Sequence, residues 1–303
     1  METNNKEMIG IVTVLYKSGP VLEDFFQSLN NQTFNNFRCY VIDNASPDNS
    51  VEVTKLLMKN VNFETILIEE QTNWGVAKGN NIGIKKALED GCDYVLLSNN
   101  DILFDPNTIQ ILYDAISEEN ATMVVPKFYF WNTDKIIWCA GGYFSWLRGT
   151  SMHYGYKEKD NGQYDNRNVI EYCPTCFMLI KSAVFDRVGL MDEKYFVYSD
   201  DTDFCWRATR VGNEKMVYVP EALVVHKESY CAGGGTSDFG FYYMNRNWMY
   251  FALKNFSFIH RAYYYIYLFI HYIVRDFWHL SSERKKQKIN ALKDGWNLYY
   301  NKI

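Results

Sequence analysis

Four clusters of polar side chains hold the groups in this sequence that can do chemistry. Asp43-Asn44-Ala45-Ser46, Asn73-Trp74-Gly75 and Asn99-Asn100-Asp101 each follow a short apolar run. The fourth gathers Asp192, Asp200, Asp201 and Asp203 within twelve residues. Amides and carboxylates at one place can hydrogen-bond a ligand, hold a hard cation, or take a proton from a reacting hydroxyl. Each cluster also has a plainer reading. Asx, Ser and Gly build turns, and an Asp at the start of a helix is stabilised by its dipole and caps it. If a helix begins near Asp200 and runs through Arg207 and Arg210, capping accounts for one or two of the acids, Asp203 among them. It does not account for all four, because crowded carboxylates repel and call for a cation, a proton or a substrate nearby.

The elements that must position these clusters follow from periodicity. Met8–Leu15, Phe37–Ile42, Phe63–Ile68 and Tyr94–Leu97 are apolar runs of strand length. Between them Val21–Asn31, Ser50–Lys59 and Asn80–Glu89 repeat apolar residues at helical spacing. Ser46, Asp48 and Ser50 stand where the second helix would be capped. Strands alternating with helices imply a mostly parallel sheet with helices on both faces, and such sheets bind ligands outside the carboxyl ends of their strands. That is where the first three clusters fall. From residue 123 to 170 the chain is rich in Gly and aromatics and reads as irregular loops or short antiparallel strands, with room for a flap over a substrate. Phe177–Ile180 reads as a further strand, followed by a short helix that Ser182 caps and Gly189 ends.

Composition narrows the function. The 303 residues carry a net charge of −5, but residues 241–303 hold ten Lys/Arg against three acids, a net of +7 that leaves −12 for the rest. An acidic body with a basic, aromatic tail argues against a nucleic-acid binder and for a tail that meets an anionic surface. Seven scattered cysteines, an odd number, fit reduced thiols better than a disulfide framework, and the one Cys173-Pro-Thr-Cys176 pair lacks the second pair of a zinc site. The polar N-terminus carries no signal peptide, and no apolar window reaches the ~18 residues of a spanning helix.

Taken in order, the segments VTVLYKS, VIDNASPDNS, NWGVAKGNNIGI, LLSNNDILFDP, FMLIKSAVFDRVGLMDEKYFVYSDDTDFCWR and VVHKES resemble a family 2 inverting glycosyltransferase of the GT-A fold, in the branch that includes bacterial rhamnosyltransferases. The resemblance covers roughly residues 8 to 250. It implies an α/β catalytic domain over 1–240 and a helical extension over 241–303. It implies transfer of a sugar from a nucleotide-diphosphate donor, dTDP-rhamnose or a UDP-hexose, to a hydroxyl of a glycan or lipid-linked saccharide in surface polysaccharide synthesis. Asn99, Asn100 and Asp101 stand at the DxD motif, whose last Asp binds Mg²⁺ or Mn²⁺ across the diphosphate. His226 stands where a further metal ligand often lies, although a lone His at a strand end is as often structural. Asp43 matches the acceptor for the nucleotide base, Thr13 and Tyr16 the nucleotide-lining segment, and Asn80 and Asn81 a donor-contacting pair. Asp201 matches the catalytic base, with Asp200 in place of the family's Glu and, in an extended approach to the helix, on the opposite face. Thr175 stands where the family has a glycine.

The tail carries a separate expectation. Ala262–Val274 is apolar nearly all round, too short to span a bilayer, and flanked by bases. It suits a helix lying on an anionic membrane, which would put the enzyme on the cytoplasmic side of the bacterial cell membrane. A helix that covers the catalytic domain or a second copy of the chain is the competing reading. Two other functions stand beside the transferase. A sugar nucleotidyltransferase would need a Gly-rich basic loop after the first strand, which VTVLYKSGPVLED lacks. A catalytically silent nucleotide-sugar or glycan-binding scaffold would have no use for Asp101 and the acid cluster.

Overall fold

The computed structural model describes residues 7–227 and 237–301, so the end of the VVHKES segment and Cys231 lie outside the described residues. Four strands open the chain: β1 (Ile9–Leu15), β2 (Phe37–Asp43), β3 (Glu64–Glu69) and β4 (Tyr94–Ser98). They alternate with α1 (Leu22–Asn30), α2 (Ser50–Leu57) and α3 (Gly75–Glu89), and all pair in parallel in the order β4-β1-β2-β3. β1, β2 and β4 are buried almost throughout, as strands covered on both faces must be, while edge strand β3 is half-buried. Helix α3 lies unusually close to the sheet. A Cβ on Gly83 would sit 2.3 Å from Val12 Cγ1, so only glycine allows this approach.

β5 (Ile102–Phe104) and α4 (Thr108–Glu118) lead to β6 (Met123–Phe130). Beyond them come β7 (Ile137–Cys139), the hairpin β8 (Gly142–Ser145) with β9 (Thr150–His153), and β10 (Asn168–Ile170). Next are β11 (Phe177–Lys181), α5 (Ala183–Val188) and α6 (Asp200–Cys205), which continues as a π-helical turn over Trp206–Val211. β12 (Met216–His226) completes a sheet ordered β10-β12-β6-β11-β4-β1-β2-β3, with β5 on β12 and β7 on β6. The sheet is thus parallel on one side and mixed on the other, where β11 runs antiparallel to both β4 and β6. Here the sequence reading of residues 123–170 needs correction at its start. β6 is a full eight-residue strand inside the sheet, parallel to β12, and only β7–β10 are short antiparallel pieces. Its run of apolar residues broken by Pro126 and Lys127 hid it. Lys127 is buried there because Asp160 and Asp165 neutralise it at 2.9 and 2.5 Å.

Ser182 precedes α5 without the expected side-chain cap bond, and its hydroxyl instead reaches Cys92 O at 2.5 Å. At α2 the residue before the helix is Asn49, which makes no cap bond, while Asp48 Oδ1 accepts from Ser50 N at 3.3 Å. The chain ends in α7 (Asp238–Asn255), α8 (Phe258–His271), a π-helical turn over Tyr272–Asp276, α9 (Phe277–His279) and α10 (Ser282–Tyr299). Ser237, Ser257 and Ser281 each cap one of these helices through the hydroxyl. α10 folds back on α7 so closely that a Cβ on Gly295 would sit 2.1 Å from Arg246 O. No described helix is long and apolar enough to cross a membrane. The six described cysteines are all buried free thiols.

Candidate active site

A cleft of about 2210 Å³ opens at the carboxyl ends of β1 and β4. Val14, Tyr16, Asn44, Asn73, Gly75, Asn80, Asn99, Asn100 and Asp101 line it together with Thr175, Asp200 and Asp201. The three polar clusters that follow β2, β3 and β4 therefore do meet along one edge. Gly75 marks the tightest point, with φ +82 and Phe196 O where a Cβ would need to be.

Asp101 and His226 are brought together by strand register. β5 pairs antiparallel with β12 so that Ile102 lies opposite His226, and the ring comes within 3.3 Å of Asp101 Oδ1. Both residues are buried, yet Asp101 Oδ1 and both His226 nitrogens lack a hydrogen-bond partner among the described residues. Buried polar atoms are seldom left so, because the lost solvation is costly. Burial alone would raise the Asp101 carboxyl, but the His226 ring overrides it and holds the group below its ordinary value. Two such atoms 3.3 Å apart suit a shared cation: ligands ~2.1 Å from an octahedral ion at right angles sit ~3.0 Å from each other. No described group of three or more His, Cys, Asp or Glu could hold a metal, so remaining coordination would have to come from substrate oxygens and water.

The acid cluster divides into two pairs. Asp192 and Asp203 point into the protein and share one ammonium: Lys254 Nζ lies 2.7 Å from Asp192 and 2.9 Å from Asp203. Asp203, fully buried, also receives Arg207 Nε at 2.8 Å and Asn255 Nδ2 at 3.0 Å. It is not a helix cap, as sequence position suggested, but the anion of a buried ionic network. Asp200 and Asp201 face the cleft. Tyr172 OH donates to Asp201 Oδ2 at 2.8 Å, and Thr202 N donates to Oδ1 at 2.6 Å. Burial, and then the neighbouring Asp201 charge, push Asp200 up to about 8. Burial also raises Asp201, against the pull of Tyr172 and Thr202. Two adjacent carboxyls of this kind titrate as a pair that holds one proton more readily than none.

The approach to this pair is not extended. Tyr198 and Ser199 take φ 64 and 63 in succession, a left-handed conformation unfavourable for both residues. Asn247, fully buried on α7, holds it: Nδ2 donates to Val197 O and to Tyr198 O, both at 2.7 Å. Contacts therefore run across residue 240, joining α7 to the loop that carries the acids.

The remaining expected residues fall on both sides of the cleft wall. Tyr16, Asn80 and Asn99 line it, and Asn100 does so while its amide is tied to Val14 O at 2.8 Å. Asp43 lies in a separate groove of about 310 Å³ with Ser46 and Asp48; Ser46 N donates to its Oδ2, and Oδ1 has no partner among the described residues. Two residues are corrected. Thr13 is wholly buried on the other face of β1, because alternation along the strand sends Val14 to the cleft instead. Asn81 is consumed at both ends of its amide by Met191, at 2.9 Å to O and 2.9 Å from N. Sequence reasoning missed Tyr172, Asn247 and Lys254. A buried Asn and a Lys within an aromatic helix were the only traces of the last two.

Comparison with known proteins agrees with this fold. The model of the family described as Glycosyl transferase family 2 matches residues 10–187. The N-acetylglucosaminyl-diphospho-decaprenol L-rhamnosyltransferase of Mycobacterium tuberculosis is 26% identical over 248 residues, 75% of this chain and 78% of that protein. Among solved structures, S. aureus TarS 1–349 in complex with UDP-GlcNAc superposes with a TM-score of 0.62 at 17% identity, covering 96% of this chain and 81% of that one. GalNAc-T7 with UDP, GalNAc and Mn²⁺ superposes with a TM-score of 0.67 at 15% identity, covering 97% and 56%.

Proposed function

This chain belongs to glycosyl transferase family 2 and has the GT-A fold, and on that footing we propose that it is a metal-dependent inverting transferase of bacterial surface polysaccharide synthesis. The donor is a nucleotide-diphosphate sugar, dTDP-rhamnose or a UDP-hexose, and the acceptor a hydroxyl of a glycan or lipid-linked saccharide. The observation that carries this reading is one cleft lined both by an under-satisfied Asp101–His226 pair and by the adjacent carboxyls of Asp200 and Asp201.

In this mechanism the nucleotide base reaches Asp43, whose free Oδ1 can accept an N–H. Tyr16, Asn80, Asn99 and Asn100 line the path of the diphosphate. Asp101 and His226 would hold Mg²⁺ or Mn²⁺, which supplies positive charge to the departing diphosphate. Asp201, oriented by Tyr172, takes the proton of the acceptor hydroxyl as its oxygen bonds to the anomeric carbon and the sugar–phosphate bond breaks. Asp200 keeps its proton near neutrality and so leaves Asp201 the charged member. The related rhamnosyltransferase is named for a lipid-diphosphate acceptor, and TarS was solved with UDP-GlcNAc, which supports both halves of the proposal.

A membrane-side location is part of the same reading. Phe258, Phe269, Val274 and Trp278 of the basic extension are between 66% and 85% exposed. Such a surface beside Arg261 and Lys285 matches an anionic bilayer. A second copy of the chain is the other occupant that would cover it, and sedimentation of the wild-type chain separates the two. The transfer itself is tested by melting the protein against dTDP-rhamnose and UDP-hexoses with Mn²⁺, because a ligand bound only by the folded state raises its stability. Asp201→Asn should still bind the donor but lose ~10²–10⁴-fold in kcat. Were no donor to shift the melting curve, or Asp201→Asn to turn over normally, the reading would fail.

A further inference from the structure

The cleft does not stop at the acid pair. Its wall continues along one face of the C-terminal helices, over Tyr264, Leu268, His271, Arg275 and His279. The three- and four-residue spacing puts these on a single stripe of the helical run from 258 to 279. The opposite stripe, with Ile259, Ile266, Ile270 and Val274, is apolar and more than half exposed. The helix is thus a partition, with the cleft on one side and bare hydrocarbon on the other.

The cleft side of that partition is short of negative charge. Asp276 is buried and already paired with Lys288. His271 Nδ1 is 3.4 Å from Asp276 Oδ1 without a proper hydrogen bond, and its Nε2 lies 3.3 Å from Arg275 Nη1. Arg275 and His279 are exposed and have no carboxylate partner among the described residues. Tyr264, 1% exposed on the same side, carries a buried hydroxyl with no partner among the described residues. Cations and orphaned donors that face a cavity beside an apolar surface fit a molecule with an anionic head and a hydrocarbon tail.

We propose that this arm of the cleft is the subsite for the phosphate of a lipid-phosphate-linked acceptor, with Arg275 and His279 as its anion ligands and the lipid chain laid over the exposed face of the same helix. The proposal rests on the glycosyl-transfer reading, narrows its acceptor to the lipid-linked kind and adds the residues that bind the phosphate. The sugar end of the acceptor then extends towards Asp201, while the nucleotide occupies the part of the cleft lined by Tyr16, Asn80 and Asn99.

The probes are octyl phosphate and a neutral octyl ether, both below their micelle concentrations, titrated into the full chain by calorimetry. Octyl phosphate should bind at least about tenfold tighter, and Arg275→Gln/His279→Gln should erase the difference, since each charge-assisted contact is worth about that factor. UDP binding with Mn²⁺ should stay unchanged in the double variant. Loss of UDP binding in wild type as well would indict the donor reading rather than this subsite. Equal binding of the two probes, or a phosphate preference that survives the double substitution, would overturn the proposal. So would a double variant that loses binding to phosphatidylglycerol vesicles yet keeps its octyl phosphate affinity, because the two side chains would then serve the bilayer headgroups.

Discussion

Asn247→Ala isolates how the acid pair is held in place. The wild-type amide donates to Val197 O and Tyr198 O at 2.7 Å each, and both carbonyls belong to a turn in which Tyr198 and Ser199 have φ near 64. Two buried hydrogen bonds are worth about 0.5–1.5 kcal/mol each in net stability, so their loss should cost about 1–3 kcal/mol. The left-handed pair stores strain of about 1–3 kcal/mol per residue. The two quantities are comparable, so a turn freed from Asn247 gains by relaxing, and Asp200 and Asp201 begin at the next residue. A shift of ~1 Å at a reacting group costs ~10²-fold in rate. We therefore expect Asn247→Ala to melt lower, to bind UDP normally and to lose ~10²-fold in kcat. Ser199→Gly placed in the same chain should restore part of the rate, because glycine takes φ 63 without penalty. Urea unfolding and a coupled nucleotide-release assay read the two effects separately. A kcat within threefold of wild type, with stability reduced as stated, would refute the link between this amide and catalysis.

The acid cluster and the Asp101–His226 pair respond to perturbation in distinct ways. Asp203→Asn should lose about 3–5 kcal/mol, because it leaves Lys254 and Arg207 short of a buried counter-charge, and adding Lys254→Met should cost less than the sum, as urea denaturation of the three variants would show. Asp200 has its carboxyl raised to about 8, so the folded protein binds a proton that the unfolded chain releases; stability should fall as pH rises from about 4 to about 8, and Asp200→Asn should flatten that slope in melting curves across the range. Chelation by EDTA should abolish transfer, with return on Mg²⁺ or Mn²⁺, and His226→Ala should raise the metal concentration needed for half activity; full transfer in chelator would remove the role given to Asp101 and His226.

The parallel half of the sheet was legible because β1, β2 and β4 are continuous apolar runs between amphipathic helices, and that pattern has few other solutions. The gathering of Asn44, Asn73 and Asn99 to Asp101 followed from it, since each stands at a strand end on the same edge. What periodicity could not reach was contact across long sequence separation. β6 escaped notice because a paired Lys127 interrupts it, and Asp203 passed for a cap because Lys254 lies 51 residues away. Thr13 and Asn81 sit in segments correctly located, yet side-chain alternation and one turn around Met191 decide which neighbour faces the cleft. The meeting of Asp101 with His226 depends on the register of β5 against β12, which no local pattern specifies.

Lys254 has one more implication, for how this chain tolerates change. A single ammonium on the C-terminal helix is shared by Asp192 and Asp203, which bracket the acid pair in sequence. The three positions must therefore be inherited as a set: a descendant that replaced the lysine with a neutral residue would be driven to neutralise at least one aspartate as well. The same bond sets where a chimaera can be cut. Exchange of the tail with that of a relative at residue 240 would separate the partners, whereas a junction at Ser257, where α8 begins with its own cap, leaves them together.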